Sequence, residues 1–161
     1  MKEIRCVVAC ALALIAGPAA AEDLRNWFGD PYFQVRSAIA ACPVPRGPFE
    51  TEGEMRQETH YRSERGTRCW LEKKCAKPNS YMYDADIATA VRARFASTRK
   101  FKDASLWVTA QRRWLWVEGC VRSARERREL EKFVRGIPDV ELVIVNVSDR
   151  KGAEPPYRTM R

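Results

Sequence analysis

The sequence predicts an α+β fold: two helices on one face of a three-stranded sheet, in the order α-β-β-α-β, preceded by an irregular N-terminal extension stapled by disulfides. Three observations predict it. Apolar residues recur four apart at Ile87, Val91 and Phe95, which is a helical period. They alternate along Leu115, Val117, Gly119 and Val121, which is a strand period. The four cysteines after residue 21 are even in number and fit two disulfide bonds.

Taken in order, residues 1–21 combine basic Lys2 and Arg5, an apolar run from Cys6 to Ala16, and small residues Ala19-Ala20-Ala21 before Glu22. This is the pattern of a secretory signal peptide cleaved after Ala21, and the run falls short of the ~20 residues a spanning helix needs. No later segment is a candidate span. Removing Lys2, Glu3 and Arg5 leaves 27 basic and 20 acidic residues, a net charge of +7, and the cysteines Cys42, Cys69, Cys75 and Cys120. Export favours disulfides over zinc, and no pair has CxxC spacing.

Residues 22–83 form the extension. Its clearest irregular stretch is Cys42-Pro43-Val44-Pro45-Arg46-Gly47-Pro48, and large apolar residues are too few for an independent core. Two short helices are expected, one over about Tyr32 to Ala41 and one opening at the capping box Thr51-Glu52-Gly53-Glu54. From Asp84 the pattern becomes regular. Asp84 and Asp86 open a helix ending near Lys100, with Ile87, Val91 and Phe95 on its apolar face. Strands follow at Leu106 to Ala110 and Trp114 to Val121, close enough for a hairpin. Ser123-Ala124-Arg125-Glu126 is a second capping box, opening a helix that carries Leu130, Phe133 and Val134 and is stopped by Gly136 and Pro138. A third strand spans Val140 to Val147. The domain then covers residues 84–148, and residues 149–161, with Pro155-Pro156, read as a flexible tail.

This order and its residues resemble the BON domain, a small module of exported bacterial proteins. The resemblance rests on Asp86-Ile87, on Leu106-x-Val108, on Leu115-x-Val117-x-Gly119-x-Val121 followed by Ser123, and on Gly136-Ile137-x-x-Val140-x-x-Val143-x-Val145-x-Val147. It implies a periplasmic or envelope location and a non-catalytic role in binding phospholipid or another envelope component. Family members often carry two copies, and one is found here. Nothing carries over to the extension. Alternation sends Leu115, Val117, Gly119 and Val121 towards the helices, with Val143, Val145 and Val147 beside them, and Gly119 is expected to admit close helix approach.

The opposite face collects Trp107, Thr109, Trp114, Trp116, Glu118, Cys120, Leu142, Ile144 and Asn146. Three tryptophans there call for a cover or a partner. The extension itself is the preferred cover, through Trp27, Phe28, Tyr32, Phe33 or Trp70. An exposed platform for lipid, glycan or protein, and a homodimer face, are the alternatives. Cys120 points to this face and needs a partner from the extension. Cys42–Cys120 with Cys69–Cys75 is preferred over Cys42–Cys69 with Cys75–Cys120.

Basic residues concentrate on the helices: Arg92, Arg94, Arg99, Lys100 and Lys102 along the first, and Arg122, Arg125, Arg127, Arg128, Lys132 and Arg135 along the second. Glu126, Glu129 and Glu131 interleave the latter, so a solvated exterior is the plain reading. The functional one assigns Arg122, Arg125, Arg128 and Lys132 to anionic lipid headgroups. Nucleic acid is set aside, because neither a Gly-x-x-Gly loop nor aromatic strand motifs of RNA binders occur. The only histidine, His60, has no nucleophile motif beside it, and no phosphate loop or metal-ligand cluster is present. The expectation is therefore a non-catalytic exported module without cofactor or metal. It engages anionic phospholipid or another envelope component, or docks on an envelope protein through the extension or the tryptophan face.

Overall fold

The computed structural model describes residues 23–160, so the expected signal peptide, residues 1–21, lies outside the described residues. The sheet grows from a tight hairpin between β2 (Ser105–Gln111) and β3 (Trp114–Cys120), paired antiparallel. Its two central residues, Arg112 and Arg113, both adopt left-handed backbone with φ of 48° and 67°. That conformation matches the twist of paired strands but is costly for side chains other than glycine. Asp84 compensates. Its carboxylate accepts the Arg112 and Arg113 backbone N–H groups at 2.7 and 2.8 Å, which joins the hairpin to the first residue of α2 (Asp84–Ala96).

The chain then crosses through α3 (Ala124–Val134) to β4 (Leu142–Ser148), which lies parallel to β3. Ser123 caps α3 by accepting the Glu126 N–H, but the Glu126 carboxylate accepts from the Arg122 N–H and not from Ser123, so only half of the expected capping box forms. Gly136 ends no left-handed turn, since the positive φ in that loop belongs to Asp139, at 62°. Ile87, Val91 and Phe95 of α2 and Leu130 and Val134 of α3 bury themselves against Leu106, Val108, Leu115, Val117 and Val147. Phe133 packs edge-on against Phe95 and Phe101, with ring centres 5.1 and 5.4 Å apart. The α-β-β-α-β order is thus present.

Gly119 serves a different purpose from the one expected. Its φ is 136°, and a Cβ there would sit 2.1 Å from the Ser105 carbonyl oxygen. The close neighbour is the backbone of β2, not a helix.

The sheet has four strands, because the extension supplies one. Tyr32–Ser37, expected to begin a helix, is strand β1, antiparallel to β2. Tyr-Phe-Gln-Val-Arg-Ser has the aromatic and β-branched content of a strand, and the free edge of β2 supplies the partner. A bulge between Gln34 and Arg36 turns Val35 and Arg36 together towards the helices. There the Arg36 guanidinium donates to the carbonyls of Phe95 and Thr98, both at 2.8 Å, and of Lys100 at 3.1 Å, closing the C-terminal end of α2.

The second expected helix is present and long. α1 (Glu52–Leu71) starts at the complete Thr51–Glu54 capping box and runs 20 residues. A 3-10 turn, Ser80–Tyr83, leads into α2. Disulfides join Cys42 to Cys120 and Cys69 to Cys75. The first spans 78 residues and ties the extension to the end of β3. The tail is irregular, yet its end lies antiparallel to the proline-rich stretch: Arg46 N–H donates to Arg158 O at 2.7 Å and Met160 N–H to Val44 O at 3.0 Å.

Candidate functional site

Two surfaces carry the residues singled out by the sequence. The first is the outer face of α3. Its amphipathic pattern buries Leu130 and Val134, so positions three, four and seven apart from Arg125 face away from the sheet. Arg122, Arg125, Arg128 and Lys132 are all exposed. They are not electrostatically equivalent. Arg125 pairs with Glu129 at 2.9 Å, and Arg122 lies 3.8 Å from Asp103. Arg135 pairs with Glu131. Among the described residues Arg127, Arg128 and Lys132 make no ion pair. Arg128 and Lys132, one turn apart, therefore form the uncompensated part of the stripe.

The basic residues of α2 are used differently. The Arg92 guanidinium stacks over Phe33 at 3.6 Å, and Arg94 over Phe133 at 4.7 Å. Lys102 is paired with Asp103 at 3.0 Å. Arg92 and Arg94 thus cover aromatic rings at the edge of the core, which sequence periodicity does not reveal, while Lys102, beyond the end of α2, makes an exposed pair.

The second surface is the far side of the sheet. Trp107, Trp114 and Trp116 are half-buried. Trp114 and Trp116 lie 5.7 Å apart, and the Arg112 guanidinium covers Trp114 at 3.4 Å. Tyr32, opposite Thr109 on β2, faces this side too. Its hydroxyl donates to Pro45 O at 2.7 Å, its ring meets Phe49 edge-on, and Gly47 has no room for a Cβ above it. The proline-rich stretch thus crosses this side of the sheet. Of the other aromatics proposed as cover, Phe33 joins the helix side and Phe28 lies under Arg62 at 4.0 Å. Trp70 is 46% exposed.

Burial has strong consequences on this side. Glu118 is pushed up to about 7 by desolvation, and Tyr32 and Tyr157 to about 12, by burial first and by the Glu118 charge second. At the hairpin, burial likewise raises Asp84 to about 6, outweighing the two backbone N–H groups that favour its charged form.

One ion pair lay beyond the sequence reading. Arg62 lies on the highly charged helix α1, yet its side chain is only 14% exposed and pairs in a fork with Asp30. Gln111 donates to the same carboxylate at 2.7 Å, and Arg62 is sandwiched between Phe28 and Tyr81. The pair locks the extension, α1 and the hairpin together. His60 is exposed on α1, with only Tyr61 stacked edge-on against it. Among the described residues no group of three or more His, Cys, Asp or Glu is placed to hold a metal ion, and no helix is long and apolar enough to cross a membrane.

Compared with protein families, residues 83–148 match the model of the BON domain. Comparisons with curated proteins and with solved structures each found no match.

Proposed function

We propose, from the premise that residues 83–148 are a single BON domain, a non-catalytic module generally associated with membrane and phospholipid binding, that this chain engages anionic phospholipid through the outer face of α3. The observation that carries the proposal is the uncompensated pair Arg128 and Lys132, flanked by Arg122 and Arg125. A basic residue at an anionic surface contributes ~1 kcal/mol, so the two free cations contribute ~2 kcal/mol and the paired ones less. Binding is therefore weak and lost at high salt. The two disulfides and the exported pattern of residues 1–21 support a periplasmic setting.

Vesicle co-sedimentation tests the reading. Anionic vesicles should retain the protein at low salt and release it at high salt, neutral vesicles should not retain it, and Arg128→Glu with Lys132→Glu should abolish retention. Equal behaviour on neutral and anionic vesicles would end the proposal.

A second reading, docking on another envelope protein through the extension, is favoured by Trp70 and Leu71, which are 46% and 75% exposed at the end of α1 beside the Cys69–Cys75 loop. Trp70→Ala with Leu71→Ala should then remove a periplasmic crosslink while leaving vesicle binding intact.

A further inference from the structure

A small cavity on the far side of the sheet contains polar groups whose hydrogen bonds the protein does not complete. Its volume is about 170 Å³, and Trp116, Thr109, Gln111, Glu118, Glu50 and Arg158 line it. Thr109 is only 6% exposed, yet its hydroxyl has no partner. The Oε2 of Glu50 is buried without a partner as well. Among the described residues Glu118 takes part in no ion pair. Arg158, the cation at the rim, is engaged by Glu54 at 2.8 Å. A buried carboxylate and hydroxyl left open in this way cost free energy unless something from outside completes them.

We infer that this cavity is a binding site for the ammonium head of a short primary alkylamine, with Glu118 as its counter-ion, the Thr109 hydroxyl as acceptor and the Trp116 indole as its wall. The chemistry fits at each point. An ammonium offers three donors and no acceptor, which suits a site of carboxylates and a hydroxyl. Its charge is attracted to an indole face, and its methylenes are accommodated by the same ring. The cavity is several times the ~30 Å³ share of one liquid water, so it admits a short chain as well as the head. Tyr32 from β1 and Tyr157 from the tail face Glu118 and are held neutral well above neutrality, Glu50 adds a second carboxylate to the lining, and Arg158 at the rim is engaged by Glu54, so none of them supplies the missing positive charge.

The site lies on the opposite side of the sheet from α3, so it stands or falls independently of lipid binding. The experiment is titration of the full exported chain with butylamine and putrescine at about pH 8, above the value near 7 to which Glu118 is raised, followed by tryptophan fluorescence and calorimetry. Butanol, the uncharged isostere, serves as control. Both amines should bind and perturb the fluorescence, and butanol should not. Glu118→Gln, which keeps shape and removes charge, should weaken binding at least ~10-fold, the equivalent of one lost charge-assisted contact, and leave vesicle binding unchanged. Thr109→Val should weaken it too. The inference is overturned if wild-type protein binds neither amine up to ~10 mM, enough to saturate a site of ~1 mM Kd. It is equally overturned if butanol binds as tightly as butylamine, or if Glu118→Gln, folded by circular dichroism, binds the amines unchanged.

Discussion

Arg36 joins the extension to the domain, and its removal should be felt by the whole molecule. Its guanidinium lies over the Phe95 ring and donates to three carbonyls at the C-terminal end of α2. A hydrogen bond to a charged group contributes ~1.5–3 kcal/mol when deleted alone, and bonds sharing one donor group do not add. The site is half exposed, which brings the total for Arg36→Ala to about 2–3 kcal/mol. Arg36→Lys keeps the charge opposite the helix dipole but loses the fork, and should recover only ~0.5–1 kcal/mol. Urea denaturation with both disulfides intact measures this, and each variant should show one transition. The reasoning is refuted if Arg36→Ala costs less than ~0.5 kcal/mol, or if the extension melts separately while the domain transition stays in place.

Other consequences follow from the same geometry. Gly119→Ala places a Cβ against the Ser105 carbonyl at a φ that side chains avoid, so it should cost about 3 kcal/mol or more by urea denaturation, whereas Gly152→Ala, with nothing near it, should cost about 1 kcal/mol. Arg62→Ala leaves Asp30 buried without its partner and should cost about 3–5 kcal/mol, while Arg56→Ala, in an exposed pair on the same helix, should cost less than ~0.5 kcal/mol. Glu118 holds its proton more tightly when folded, so its contribution is present below the ordinary glutamate range and is lost as pH rises to about 7. Glu118→Gln should therefore gain on wild type by of order 1–3 kcal/mol between about pH 5 and pH 8, and parallel stability curves would contradict this.

What the sequence made legible was what is decided locally. The Thr51 and Ser123 caps, the four-residue period of Ile87, Val91 and Phe95, and the alternation from Leu115 to Val121 each fix an element within a few residues. Tyr32–Ser37 was misread because the following Ala-Ile-Ala-Ala supports a helix as readily as the segment supports a strand, and only the distant edge of β2 decides between them. The fork between Arg62 and Asp30 joins residues 32 apart, and the Arg46 to Arg158 contact joins the proline-rich stretch to the tail. Neither leaves a periodic trace. Glu118 was visible as a residue of the tryptophan face; that no cation answers it depends on where Arg158 and Glu54 meet. Alternation singles out Gly119 as the residue that admits a helix, whereas the close neighbour is the backbone of β2, which the residue pattern of β3 alone does not identify.

The central claim is that the free cations of α3, within the segment that matches the BON domain, bring this chain to an anionic surface. The most direct measurement compares co-sedimentation of wild type and the Arg128→Glu, Lys132→Glu double variant with anionic vesicles at low salt. The account predicts retention of wild type, its release as salt is raised, and loss of retention in the variant. Equal retention of both proteins, or none of wild type, would contradict it.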